Sequence, residues 1–234
     1  MGTGWTPAVR TLVAACTIIF VLQQIFELVV RDPLIDRVFG LTPYLVTHRF
    51  YVWQLVTYIF LHGGFFHILF NMFALYMFGG ELEQLWGTKE FTKFFYICGI
   101  GGGLLTVLVD PSGFATTIGA SGAIFGLLLA YGMLFPDRLI YMYMIIPIKA
   151  KWFVIIMGAI TLFASISAGG GGIAYIAHLG GLLFGFLYLK GGRLIPDLRS
   201  QYDKWQRNRL RRKFEVYYNQ RHREDDEKSR RWKN

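Results

Sequence analysis

Two polar residues in apolar stretches, Ser121 and His178, are of the types that nucleophilic catalysis needs. A serine hydroxyl is a weak nucleophile until a base within hydrogen-bond reach takes its proton, and a histidine is such a base. Each residue is followed by two glycines four positions apart, a pattern that lets helix backbones approach closely. These glycines are Gly122 and Gly126, and Gly181 and Gly185. If the two glycine faces pack near the outer ends of their helices, His178 lies beside Ser121.

His67 and Asn71 form a second polar pair, four residues apart and therefore on one helix face. In a membrane helix such residues are functional hypotheses, although a serine also serves as a packing hydroxyl and a histidine as a proton relay, metal ligand or core residue. His62 and His67 are five residues apart, which splays them by about 140° on a helix. No acidic residue or cysteine lies close in sequence to complete a ligand set. We therefore predict neither a metal nor a cofactor.

The composition indicates that these residues lie in a membrane protein. Of the 234 residues, 54% are hydrophobic and 17% are charged, against roughly 25% charged in a soluble domain. This excludes a disordered chain and a typical cytosolic enzyme. The two cysteines, Cys16 and Cys98, lie within apolar runs and are interpreted as packing residues rather than as a disulfide framework.

The apolar runs predict an all-α bundle of six membrane-spanning helices, since about 20 apolar residues cross a bilayer. The predicted spans, some of them short, are 9–30, 63–79, 91–109, 121–135, 152–167 and 173–189. A seventh span over 139–148 is the alternative. That segment is ten residues long and contains Pro147, so a cytoplasmic or interfacial loop is favoured.

The net charge of +9 divides the chain into two parts, a membrane domain over 1–189 with a net charge of +1 and a tail over 190–234 with +8. With the N-terminus inside, the inner segments hold 21 Lys and Arg residues and the outer segments 3. The positive-inside rule therefore places both termini in the cytoplasm. Ser121 then faces the extracytoplasmic side.

The tail mixes both signs of charge with aromatic residues, which is typical of a solvated cytoplasmic helix. A second interpretation is attachment to anionic lipid. Nucleic-acid binding is disfavoured because the basic residues form a local juxtamembrane cluster with acidic residues among them. The residues considered for lipid attachment are Arg207, Arg209, Arg211, Arg212 and Lys213.

Taken together, the motifs between Trp53 and Gly185 resemble the rhomboid family of intramembrane serine proteases, in its bacterial-type six-span form. They occur in the order that the family shows. The motifs are His62-x4-His67-x3-Asn71, Glu81-Leu82-Glu83, Trp86-Gly87, Gly119-Ala120-Ser121-Gly122 and Ala177-His178-x2-Gly181-x3-Gly185.

The resemblance implies a serine–histidine dyad without an acidic third member. Ser121 would attack the scissile carbonyl, and His178 would act as general base and then as general acid. His178 would be held by packing against Phe125, where relatives often carry tyrosine. The oxyanion donors would be the Ser121 N–H and the side chains of His67 and Asn71. Supporting roles fall to His62, Gly119, Gly122, Gly181 and Gly185.

The substrates implied are transmembrane segments of other membrane proteins, cut without a cofactor, and the expected location is a bacterial inner membrane. One departure is Gln54, which stands where the family has an arginine and puts the polar contacts of the first loop in doubt. A catalytically inactive rhomboid-like protein that binds membrane helices remains the first alternative. A transporter that uses Gln23, Gln24, Glu27 and histidines as a relay is the second.

Overall fold

A computed structural model of the chain describes residues 5–142, 146–167 and 173–191, together with Arg207, Arg211, Phe214, Glu215 and Tyr218. The chain divides into two compact units, Met1–Gly192 and Arg193–Asn234. In the second unit, Arg211 pairs with Glu215 one helical turn later, at 3.4 Å. Of the residues considered for lipid attachment, Arg209, Arg212 and Lys213 lie outside the described residues, as does the glycine run 169–172.

The first unit is built almost entirely of helices. A π-helical turn over Leu75–Gly79 joins α5 to α6, so these two form one continuous rod. A short 3₁₀ turn over Tyr58–Phe60 follows α4. The helices are α1 Pro7–Val30, α2 Leu34–Phe39, α3 Pro43–Arg49, α4 Gln54–Thr57, α5 Phe65–Ala74, α6 Gly80–Trp86, α7 Thr88–Val109, α8 Ser121–Leu134, α9 Ala150–Ser167 and α10 Ile173–Gly191.

Each of the six predicted spans coincides with a helix or helical rod. Within the described residues, four of these are long and apolar enough to cross a membrane: Pro7–Val30, Phe65–Trp86, Thr88–Val109 and Ala150–Ser167. Ser121–Leu134 is a shorter apolar helix. The helical membrane architecture is therefore found, whereas the number of spans and the side on which each terminus lies stay predictions.

The core lies where α7, α8 and α10 meet. Half of the most apolar stretch of α7 is buried, compared with 11% for α1 and α9, which therefore lie at the periphery. Glycines allow the central contacts. A Cβ atom added to Gly101 would lie 2.2 Å from the ring of Phe184, and one added to Gly180 would lie 2.7 Å from the Cα of Gly102. Both cysteines are buried and free, in agreement with a packing role.

The segment between α1 and α5 holds more helix than its turn-rich sequence predicts, and Gln54 ties it together. Its side chain is fully buried. Its amide nitrogen donates to the carbonyls of Arg37 and Val38, each at 3.1 Å. Its amide oxygen accepts the N–H of Thr42 at 3.0 Å. Glutamine therefore supplies polar anchoring contacts in this loop at the position where an arginine was expected.

The segment 139–148 is the exception to the all-α prediction. It forms an antiparallel hairpin of β1 Leu139–Met142 and β2 Ile146–Lys149, in which Tyr141 pairs with Pro147. Proline lacks the N–H that a helix interior requires, and β-branched and aromatic residues favour strands. The predicted loop is thus a short sheet joined directly to α9.

Candidate active site

Ser121 is the first residue of α8, and the loop before it is pinned on both sides. Leu41 and Thr117 form a two-residue antiparallel bridge that holds the loop against the segment after α2. The N–H of Gly119 donates to the Tyr58 carbonyl at 2.9 Å. Gly119 has φ of +125°, in a region that residues with a side chain rarely adopt. The chain therefore turns sharply into α8, whose N-terminal N–H groups lie at the serine.

The two glycine faces predicted from the sequence do pack against each other. A Cβ atom added to Gly181 would lie 1.8 Å from the carbonyl oxygen of Gly122. One turn further along, a Cβ atom on Gly185 would lie 3.3 Å from the Cα of Gly126. Backbone contact at this distance is possible only without side chains, so the glycines fix how closely α8 and α10 approach.

This contact brings Ser121 and His178 together. The Oγ of Ser121 lies 2.7 Å from the Nε2 of His178, which is hydrogen-bond distance. The imidazole is stacked on Phe125, with ring centroids 4.3 Å apart and an interplanar angle of 7°. Tyr175 approaches the imidazole edge-on at 6.2 Å. For Ser121 to donate its hydroxyl hydrogen, Nε2 must be the unprotonated nitrogen of the ring.

The other nitrogen of His178, Nδ1, is buried and has no hydrogen-bond partner among the described residues. The contacts that orient the ring in this part of the chain are therefore aromatic packing and the bond to Ser121. Neither contact carries a negative charge that would stabilise an imidazolium, which distinguishes this arrangement from a charged triad.

The ring of His67 lies against the serine loop, with its Nε2 close to Gly119. A Cβ atom placed on Gly119 would lie 2.8 Å from that nitrogen and 3.7 Å from the Oγ of Ser121. The N–H of Gly63 donates to Nδ1 of His67 at 3.3 Å. Because Nδ1 accepts, Nε2 carries the ring proton and can donate to an oxygen near Ser121.

Asn71 is buried one turn after His67 on α5. Its Nδ2 donates to the carbonyl oxygen of His67 at 2.8 Å. An amide nitrogen has two hydrogens, so this bond leaves a second one that it does not use. The spacing rule placed both residues on one face correctly, but only the His67 ring is shown close to Ser121.

His62 is buried behind His67, and the two rings meet edge to face at 5.1 Å. The backbone N–H of His62 donates to the side-chain oxygen of Gln23 at 3.1 Å, and the amide nitrogen of Gln23 donates to Asp36 at 2.6 Å. Burial, with a smaller contribution from His67, lowers the pKa of His62 to about 4. Gln23 thus hydrogen-bonds within the bundle, while Gln24 and Glu27 are exposed on α1.

Tyr58 is a residue that the sequence analysis did not single out. Its hydroxyl is buried and donates to the carbonyl of Gly99 at 2.6 Å, while its own carbonyl accepts the N–H of Gly119. The hydroxyl also lies within 3.3 Å of the position that a Cβ atom would take on Gly122. The sequence could have indicated this residue. A tyrosine in an apolar run just before the polar motif is expected to be buried, and a buried phenol hydroxyl needs a hydrogen-bond partner.

Glu83, in the Glu81-Leu82-Glu83 motif, has a structural role that the sequence does not indicate. Its carboxylate accepts the N–H groups of Ala8 at 2.9 Å and Val9 at 3.0 Å, together with the hydroxyls of Thr6 and Thr88. Glu83 on α6 therefore caps the N-terminus of α1, where unpaired N–H groups and the positive end of the helix dipole favour an anion. Among the described residues, no group of three or more His, Cys, Asp or Glu could hold a metal ion.

The chain is similar in sequence to one protein-family model and to several known proteins. The Rhomboid domain model matches residues 49–192 of the chain. RHOMBOID-like protein 1 of Arabidopsis thaliana is 35% identical over 74% of this chain and 45% of its own length. RHOMBOID-like protein 5 of the same plant is 45% identical over 32% of this chain and 25% of its own. Rhomboid-like protease 1 of Toxoplasma gondii is 32% identical over 58% of this chain and 45% of its own. The chain spans less than half the length of each of these three relatives.

Proposed function

This chain belongs to the rhomboid family and is a multi-pass membrane protein, and we propose on that premise that it is an intramembrane serine endopeptidase. The observation that carries the proposal is the 2.7 Å contact between Ser121 Oγ and His178 Nε2 at the packed glycine faces. A hydroxyl and an imidazole in this relation are what acyl transfer requires. The protease names of some relatives agree with this class of activity.

In the proposed reaction, Ser121 attacks the carbonyl carbon of the scissile peptide bond while its proton moves to Nε2 of His178. The resulting tetrahedral intermediate collapses, and His178 returns that proton to the leaving amine nitrogen. An acyl-enzyme remains on Ser121. A water molecule, deprotonated by His178, then releases the acyl group as a carboxylic acid and regenerates the serine. Phe125 holds the imidazole in one plane through both steps.

The negative charge on the intermediate's oxygen needs donors that are already in place. The N–H of Ser121 at the start of α8, the Nε2–H of His67 and the second Nδ2 hydrogen of Asn71 are the proposed set. The tautomer imposed on His67 by Gly63 supports its part in this set. Removal of one such donor costs about 10²- to 10³-fold in rate in other enzymes, so Asn71→Ala is expected to fall in that range.

The proposed substrates are transmembrane helices of other proteins, which enter laterally and unwind locally at the cut. We place six spans over 1–189 in a bacterial inner membrane, with both termini in the cytoplasm and Ser121 open to the extracytoplasmic side. The asymmetry of Lys and Arg along the chain supports this orientation. The tail over 190–234 is proposed to stay cytoplasmic, with anionic lipid as one candidate contact of its basic residues.

The second candidate function is a catalytically inactive rhomboid-like protein that binds membrane helices. The presence of both dyad residues at hydrogen-bond distance favours the active enzyme over this alternative. A relay through Gln23, Gln24 and Glu27 is less well supported, because Gln23 is bonded to His62 and Asp36 within the bundle.

The test uses the purified full chain reconstituted in lipid with a model transmembrane substrate. Wild-type protein is expected to cleave the substrate, and Ser121→Ala and His178→Ala are expected to abolish cleavage. Ser165→Ala is the matched control, since Ser165 is half-buried on α9 and its hydroxyl donates to the Leu162 carbonyl of its own helix. Fluorophosphonate labelling should require both Ser121 and His178. Cleavage by Ser121→Ala at the wild-type rate would overturn the mechanism. Helix binding by wild type without cleavage or labelling would favour the inactive alternative.

A further inference from the structure

The β1–β2 hairpin presents an apolar face to its surroundings. Side chains two residues apart on a strand point to the same face, and paired residues share that face. Leu139 and Tyr141 on β1 therefore lie with Pro147 and Lys149 on β2. Leu139 is 50% exposed and Tyr141 is 58% exposed. On the opposite face, Ile140 is buried while Ile146 is 54% exposed, so that face is turned inward only at the base of the hairpin.

This hairpin is fixed to the ends of two membrane helices. The N–H of Ala150, at the start of α9, donates to the carbonyl of Arg138 at 2.8 Å, and the N–H of Lys151 donates to that of Pro136 at 3.1 Å. The guanidinium of Arg138 pairs with Glu81 on α6 and lies over the ring of Phe135. The exposed face is thus held in one orientation relative to α8 and α9.

The hairpin is joined to the first turn of α9 and therefore lies at the same depth in the membrane as that turn. Trp152, in the first turn of α9, is 53% exposed, and exposed tryptophans at helix ends mark the membrane–water interface. A two-stranded sheet leaves N–H and C=O groups unpaired along both outer edges, which hydrocarbon does not tolerate. The lipid headgroup region fits both the exposed apolar side chains and the unpaired strand edges, because it accepts the side chains and forms hydrogen bonds with the edges.

The charges at the base of the hairpin are complementary to anionic lipid. Lys149 and Lys151 lie 3.3 Å and 3.0 Å from the same carboxylate oxygen of Asp137. All three side chains are at least 40% exposed, and exposed ion pairs of this kind contribute little to stability. Two cations that share one weakly bound carboxylate can also contact lipid phosphates, which attract lysines near an anionic surface.

We propose that the β1–β2 hairpin is an interfacial anchor that places Leu139, Tyr141 and Pro147 in the headgroup region of an anionic leaflet, with Lys149 and Lys151 on the lipid phosphates. The anchor does not depend on catalytic activity. It holds the inner ends of α8 and α9 at a fixed depth, and α8 carries Ser121 at its other end.

A spin label at the hairpin tests this placement in the full chain. Tyr141→Cys and, separately, Leu139→Cys carry a nitroxide in vesicles of phosphatidylglycerol and phosphatidylcholine. The chain without an introduced cysteine reports background labelling of Cys16 and Cys98, both of which are buried. Power saturation compares collisions with oxygen, which enriches in lipid, and with a water-soluble nickel chelate. Ile18→Cys, 60% exposed near the middle of α1, is the lipid-facing control, and Ser112→Cys in the exposed loop after α7 is the aqueous control.

Labels at 139 and 141 are expected to collide with oxygen several-fold more often than the label at 112 does. They should sit deeper with phosphatidylglycerol than in pure phosphatidylcholine, and Lys149→Gln with Lys151→Gln should remove that difference. Nickel accessibility equal to that of position 112 would place the hairpin in water and overturn the proposal. Protection from both reagents would indicate a protein contact and also overturn it. A depth independent of phosphatidylglycerol would contradict the anionic leaflet.

Discussion

Phe125 lies face to face with His178, with ring centroids 4.3 Å apart and planes 7° apart. Phe125 lies on α8 and His178 on α10, and the glycine faces of these two helices pack together. Phe125 is itself buried. Because Nδ1 of His178 has no partner among the described residues, the stacked ring is the principal contact that sets the imidazole plane. Phe125 is in this sense a positioning residue.

Phe125→Leu removes the flat ring while it keeps an apolar side chain of similar size. We expect kcat to fall by about 10²-fold, the order seen when a reacting group is misplaced by about 1 Å, while KM stays close to wild type. Phe125→Tyr keeps the stacking surface and should retain most activity. Steady-state kinetics on the model substrate give the comparison. Equal kcat in the leucine variant and wild type would show that the stack does not orient the base.

Gly181→Ala tests whether helix approach assembles the site. The added methyl would lie 1.8 Å from the Gly122 carbonyl oxygen, so α8 and α10 must separate. We expect loss of cleavage and of fluorophosphonate labelling, with a lower unfolding temperature. Gly158→Ala on α9 is the matched control, because a Cβ atom added there would make an ordinary contact with a Leu182 methyl at 3.7 Å. That variant should be neutral or gain about 0.5–1 kcal/mol from helix propensity. Full activity of Gly181→Ala would refute close approach as the requirement.

Glu83→Gln tests the cap between α6 and α1. The variant amide is neutral and keeps one acceptor oxygen, so one of the two N–H groups of Ala8 and Val9 loses its acceptor and the other loses its charged partner. We expect the free energy of unfolding to fall by about 1–3 kcal/mol, the cost of an unsatisfied buried donor. Glu83→Ala should fall further. Unfolding in detergent micelles measures both, with Glu27→Gln, exposed on α1, as the control. A loss of the same size in Glu27→Gln would show that the effect is not specific to the cap.

The buried imidazole of His62 is expected to make the stability of the protein depend on pH. Its folded-state pKa is lowered to about 4 from 6.5, chiefly by burial, so the unfolded chain binds more protons between these two values. The free energy of unfolding is therefore not lowered by His62 above about pH 6.5, and it falls as the pH decreases towards 4. At about 1.4 kcal/mol for each pH unit, the loss approaches about 3 kcal/mol.

The check is the unfolding temperature of wild type and His62→Asn between pH 4 and pH 7. The asparagine amide can still donate to the Phe60 carbonyl, which accepts from Nδ1 of His62 at 3.2 Å. We expect the difference between the two proteins to change across this range, with the variant less sensitive to acid. Parallel curves for the two proteins would mean that His62 is not a source of the acid sensitivity.

Much of the fold was predictable because a long apolar run in one segment of the sequence is enough to predict a membrane helix. The apolar runs that define α1, α7 and α9 are long, and their bounds agree with the structure to within a few residues. The hairpin was not predictable in the same way. A short apolar run containing Pro147 is compatible with a loop or a strand, and the strands form only because β1 pairs with β2.

The glycine spacing and the residue types in the sequence were enough to predict that Ser121 and His178 belong together. Local spacing also placed His67 and Asn71 on one face. These are properties of single helices and of backbone size, which the order of residues carries directly. Their catalytic roles stay proposals.

Only the tertiary structure decided the contacts between segments distant along the chain. Glu83 lies 74 residues or more from the N–H groups that it caps, and the serine and histidine are separated by 57 residues. The tautomer of His67, the buried network of Gln54 and the phenol of Tyr58 each depend on which backbone groups lie opposite. Hydrogen bonds are short-ranged and directional. The sequence can name the groups that need partners, but the partners are set by how the helices pack.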